Sequence, residues 1–69
     1  MTQKIAYEIL KELGGTAKMV DIISRCVEKY PNDSWHKYGR LSTRLGQLRK
    51  SGYVKLENGK WTIIEEWNN

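Results

Sequence analysis

The chain has no phenylalanine, and only one cysteine, one proline and one histidine among its 69 residues. A single cysteine excludes an intramolecular disulfide, and Cys26, on an apolar helical face, reads as a small buried hydrophobe. Cys26 and His36 together supply too few ligands for a zinc site. No apolar run reaches the roughly 20 residues that cross a bilayer, and no signal-peptide pattern opens the chain. The expected location is therefore intracellular, cytoplasmic or nucleoid-associated, without a membrane partner. No Gly-rich phosphate loop, nucleophile–base arrangement or carboxylate pair in a plausible cleft is present, and Asp21 and Glu28 read as helix-surface residues. The expectation is a protein without catalysis, cofactor or small-molecule substrate. A chain this short forms one domain, residues 1–69, with a modest core. Its stability rests on a few well-packed apolar residues or on oligomerisation; three Trp and four Tyr supply the bulk.

The most informative absence is of acid. Between Asp33 and Glu57 there is none, while Lys37, Arg40, Arg44, Arg49, Lys50 and Lys55 hold half of the chain's 12 basic residues. The other basic residues are outnumbered by the 8 acids, so the excess charge of +4 is concentrated in this segment. A one-sided positive field attracts a phosphate polymer whatever its sequence. The plain alternative is a solvated basic face.

Ile5, Ala6, Ile9, Leu10 and Leu13 recur at helical spacing and predict a first helix over 3–13, with Thr2 as N-cap and Gly14-Gly15 as the stop. Residues 15–17 can add a short strand. A second helix is predicted from about 18 to 29, ended by Pro31. Val20, Ile23, Cys26 or Val27, and Tyr30 share its inner face, with Ile22 flanking; Lys18, Asp21, Arg25, Glu28 and Lys29 face water. Asn32-Asp33-Ser34 is turn and cap chemistry, with Ser34 or Asp33 capping the next helix. Trp35, Tyr38, Leu41, Leu45 and Leu48 form its apolar stripe. Gly39 and Gly46 each weaken a helix by about 1 kcal/mol relative to Ala. Gly39 marks a kink or a 3₁₀ start before a regular helix from Arg40; Gly46 either permits close approach of another helix or a phosphate, or is simply tolerated. Ser51-Gly52 ends the helix.

Two alternating segments, 53–57 and 60–64, flank Asn58-Gly59, the strongest short hairpin signal. A two-residue turn pairs Glu57 with Lys60, Leu56 with Trp61, Lys55 with Thr62 and Val54 with Ile63. Val54, Leu56, Trp61 and Ile63 then face the helices, and Tyr53, Lys55, Glu57, Lys60 and Thr62 face out. A one-residue slip would invert this pattern.

Helix, short strand, helix, turn, helix and hairpin is the order of an α+β winged helix-turn-helix. Ile9-Leu10-Lys11-Glu12-Leu13-Gly14-Gly15, Val20-Asp21-Ile22-Ile23, Trp35, and Leu48-Arg49-Lys50-Ser51-Gly52-Tyr53-Val54 running to Asn58-Gly59-Lys60-Trp61-Thr62-Ile63 carry a further likeness. On them the chain resembles the winged-helix module at the N-terminus of Mrr-like restriction enzymes and the related HARE helix-turn-helix domains. The resemblance spans nearly the whole chain and implies DNA binding by a small sensor or targeting domain. Lys18 stands where a small capping residue is expected. The nuclease domain that such modules often precede is not in this chain, so cleavage does not carry over.

With the apolar stripe inward, His36, Lys37, Arg40, Thr43, Arg44 and Gln47 face outward, and 36, 40, 44 and 47 form one stripe. Arg40, Arg44 and Gln47 are the candidates for base contact in the major groove, since Arg reads guanine and Gln reads adenine bidentately; Thr43 can touch a thymine methyl. His36, Lys37, Arg49 and Lys50 suit phosphate, which positions without reading sequence. Lys55, Asn58 and Lys60 on the wing can reach a flanking phosphate or the minor groove, and Ser34 at a helix start can help hold a phosphate oxygen. Against this, Arg44 and Arg49 can pair with Glu8 or Glu12, Lys60 with Glu57, and Trp61 is core. The expected partner is double-stranded DNA, bound by a transcriptional or genome-associated regulator. One short module gives weak specificity, so a homodimer through Tyr7, Ile64 and Trp67 is a candidate. The rival reading is a protein-interaction module with an acidic partner; a weaker one is duplex RNA or an unusual DNA form.

Overall fold

The structure, a computed structural model, describes residues 3–32 and 40–67. Its elements are α1 (Gln3–Glu12), β1 (Thr16–Lys18), α2 (Met19–Lys29), α3 (Arg40–Lys50), β2 (Val54–Glu57) and β3 (Lys60–Ile63). The three strands form one antiparallel sheet in the order β1-β3-β2. This is an α+β layout, and the hairpin after α3 is compatible with the wing of a winged helix. The Thr2 and Ser34/Asp33 caps, Trp35, Tyr38 and Gly39 lie outside the described residues.

The hairpin takes the register expected of its alternation, Val54 opposite Ile63, Lys55 opposite Thr62, Leu56 opposite Trp61 and Glu57 opposite Lys60. Asn58 and Gly59 have φ of 53° and 76°, the left-handed pair of a type I′ turn, whose twist matches that of the flanking strands. Val54 and Trp61 are buried against the helices. Leu56, placed on the same face by the register, is 41% exposed: it sits next to the turn, where the ribbon outruns the helices. The expected short strand is one residue later than read. Ala17 pairs with Trp61, and the Ile63 N–H donates to the Gly15 carbonyl at 2.7 Å.

In α1, Ala6, Tyr7, Ile9 and Leu10 are buried. In α3 the apolar stripe is Leu41, Leu45 and Leu48, all buried. The helix closes in a Schellman motif: Tyr53 N–H reaches the Leu48 carbonyl at 3.0 Å and Gly52 N–H the Arg49 carbonyl at 3.1 Å. Gly52 has φ of 86°, a conformation costly to a residue with a Cβ.

The inner face of α2 differs from the sequence reading. Ile22 and Cys26 are fully buried, whereas Val20 and Val27 are 64% and 43% exposed. Met19, Ile23 and Tyr30 pack partly against the core. The helix carries two overlapping apolar stripes, and β1 chooses between them. Lys18 ends the strand and is also the N-cap, in extended conformation with no side-chain capping bond. With no linker, the pairing of Ala17 with Trp61 sets the helix's rotation.

The tail finds its partners inside the chain. Tyr7 Oη donates to the Glu65 carbonyl and accepts from the Trp67 N–H, both at 3.2 Å. The Trp67 ring meets Tyr7 edge-on at 5.8 Å and Tyr53 at 5.6 Å. Three expectations are corrected: Tyr7 is buried, Tyr53 is half-buried rather than outward, and Trp67 packs on both. Of the candidate dimer contacts only Ile64 stays exposed. Among the described residues no helix is long and apolar enough to cross a membrane.

Candidate nucleic-acid interface

Burial of Leu41, Leu45 and Leu48 turns the rest of α3 outward. Ser42, Thr43, Arg49 and Lys50 are exposed, and Gly46 lies among them. Thr43, Gly46, Gln47, Arg49 and Lys50 line a shallow depression of about 580 Å³. Of the expected stripe, Ser34, His36, Lys37 and the side chain of Arg40 lie outside the described residues. Arg44 and Gln47 are half-buried beside the start of α1. The Gln47 Oε1 accepts from Gln3 Nε2 at 3.1 Å and from Arg44 Nη1 at 3.0 Å. Both lone pairs of that oxygen are thus in use, and a bidentate contact to adenine needs it. Gln47 therefore ties Arg44 to α1 in this structure. Arg44 keeps donors for a ligand. Ser42 was missed, although it follows from the wheel complementary to 41, 45 and 48.

The acids outside the basic segment settle where its cations can pair. Glu12 binds Arg25 at 2.7 Å and also Lys29, and Arg25 reaches Glu28 at 3.8 Å. The hydrogen bond from Lys29, then that from Arg25, holds the Glu12 carboxyl below its usual range. Lys29 and Arg25 are raised in turn, chiefly by their hydrogen bonds to Glu12. Glu12 is therefore occupied by α2, and neither Arg44 nor Arg49 pairs with it or with Glu8. Arg49 and Lys50 make no ion pair with any described residue.

On the wing, Glu57 pairs with Lys55 along β2 at 3.5 Å, not with Lys60 across the turn. An exposed pair of this kind contributes under about 1 kcal/mol and yields readily to a stronger anion. Asn58 is exposed at the tip. Lys60 belongs to the central strand and stands opposite Lys18 of β1, a like-charge neighbour the sequence reading did not foresee. Both border a separate groove of about 680 Å³ beside α2, where Glu12, Asp21 and Glu28 add negative charge. Lys60 is thus divided from α3 by β2, whereas Lys55 lies on the strand next to it.

No family model matches the chain, and no curated protein or solved structure matches it. The site must be judged on its own chemistry. Among the described residues no three His, Cys, Asp or Glu side chains gather to hold a metal. Burial pushes the Cys26 thiol up to about 11, so it is protonated and a poor nucleophile at neutral pH.

Proposed function

We propose that the protein binds double-stranded DNA without catalysing a reaction, with α3 in the major groove and the wing on the flanking backbone, as a transcriptional or genome-associated regulator. The observation that carries this reading is the separation of charge. The acids outside the basic segment neutralise α2, while Arg49 and Lys50 stand exposed on α3 with no acid between Arg40 and Leu56. The element order agrees, since a helix with an adjoining β-ribbon is a known way to place side chains in a groove and on its rim. In this reading Arg40, Arg44 and Thr43 meet base edges, Arg49, Lys50 and Lys55 meet phosphate, and Asn58 touches the adjacent backbone. Lys60, with Lys18, contributes to the general field.

Titration of a fluorescent random duplex tests it. Four to six phosphate contacts give a log–log salt slope of about −4 to −5. An absence of binding to any duplex at low salt removes the proposal, and binding of an acidic protein alone would favour the interaction-module reading. Site selection on the random pool then reports whether the bases are read.

A further inference from the structure

Gly46 stands apart from the other described glycines. Gly14, Gly15, Gly52 and Gly59 all take positive φ, whereas Gly46 has ordinary helical backbone inside α3. A Cβ added there meets nothing within 4 Å. Neither backbone conformation nor internal packing therefore calls for glycine, and a glycine inside an exposed helix is a poor choice for stability. Its neighbours on the helix surface, at three and four residues either side, are Thr43, Arg49, Ser42 and Lys50. All four are exposed. The result is a notch in which the helix backbone is bare, bordered by two hydroxyls on one side and two cations on the other.

From this arrangement we infer that Gly46 is the point of closest approach between α3 and the sugar–phosphate backbone of the DNA. The inference rests on the duplex-binding reading above. A missing side chain lets a phosphate oxygen come down to the helix surface, where Arg49 and Lys50 reach it and the Ser42 hydroxyl can donate to it. The charge selects the occupant. A second copy of α3 would bring Arg49 and Lys50 against their own like, whereas a phosphodiester brings the opposite sign.

The test is Gly46→Ala in the full chain, with Ser24→Ala on the exposed side of α2 as a control of equal size. Gly46→Ala raises Tm by roughly 4–8 °C, as expected for a gain in helix propensity in a domain of this size. It weakens duplex binding on the order of tenfold, because the methyl occupies the seat. Gly46→Gln weakens binding further while remaining folded, and Ser24→Ala leaves binding unchanged. A more stable Gly46→Ala that binds duplex as tightly as the parent overturns the inference and leaves the DNA-binding reading standing. So does loss of stability in Gly46→Ala, which would give the glycine a structural role. A change in self-association by sedimentation, with affinity altered only through it, would make the notch a helix–helix seat and overturns it too. Failure of the parent chain to bind any duplex removes the DNA-binding reading itself.

Discussion

The helices α2 and α3 are both 11 residues long and both end in basic residues, yet their charges go to different places. In α2, Arg25 and Lys29 turn back onto Glu12 of α1, so the helix spends its cations on the fold. In α3, Arg49 and Lys50 have no such partner among the described residues, and Arg44 is steadied by an amide rather than a carboxylate. Composition already separates the helices, since α3 carries four basic residues and no acid and α2 two of each; the position of one further acid, Glu12, is what ties down both cations of α2. The lesson is that cations available to a ligand are those left after the internal ion pairs have formed.

The largest effect that would break this comparison concerns how α2 is seated. Ile22→Ala removes a fully buried side chain and is expected to cost about 2–5 kcal/mol, a large share of the stability of so small a domain. Val20→Ala, two residues earlier but 64% exposed, is expected to stay within about 0.5 kcal/mol. Urea denaturation followed by tryptophan fluorescence gives both values. Equal costs would mean that α2 is rotated from the position described, and that Arg25 and Lys29 need not face Glu12.

Next comes the charge itself. Reversing Arg49 and Lys50 together to Glu should lower duplex affinity roughly a hundredfold or more, since each lost phosphate contact also removes about 0.9 from the salt slope. Arg25→Glu on α2 should leave affinity within about twofold, because that side chain is already committed within the protein. Similar losses in both variants would show that binding follows net charge and not the face of α3.

How much of this was legible beforehand depends on the sequence distance between the residues that decide it. The hairpin was legible to the individual pair, because period-two alternation and Asn58-Gly59 are local signals that agree. The face of α2 was not, because apolar residues satisfy two rotations and the choice rests on β1 pairing with β3. The tail cluster was illegible for the same reason: Tyr7 and Trp67 stand 60 residues apart, and no local pattern marks the contact. At the candidate interface, the acid-free segment was plain from composition. Which side of α3 it presents was only partly so, since the contact of Gln47 with Gln3 joins residues 44 apart. Leu41, Leu45 and Leu48 fixed the inward side; the outward side had two candidate edges, and α1 covers one of them.

Trp67→Ala sharpens the account of the tail. It removes an edge-on and a tilted ring contact but keeps the backbone N–H that donates to Tyr7 Oη, for a cost of about 1–2 kcal/mol. Duplex affinity should not change, since the cluster lies away from α3's outer face. A monomer–dimer shift in this variant, seen by sedimentation, would instead return Trp67 to an intermolecular role.

The smallest effect isolates Glu12. Its carboxyl is held below the ordinary value of 4.5, first by Lys29 and then by Arg25. A group lowered on folding contributes stability that is present above its unfolded value and is lost as pH falls through the folded one. Lys29, raised above 10.5, contributes below that value and loses its share only as pH rises through the raised one. The pair is therefore intact between these limits, and the difference in stability between the parent and Glu12→Gln should be flat there and shrink in acid. The site is exposed to solvent, so the difference is small and should also fall with added salt. If Glu12→Gln instead frees Arg25 and Lys29, duplex affinity at neutral pH should rise slightly, because α2 would then present the uncompensated charge that now distinguishes α3. A fall in affinity would mean that the acid on α1 positions the DNA-binding face rather than merely silencing its neighbour, and the contrast between the two helices would have to be redrawn.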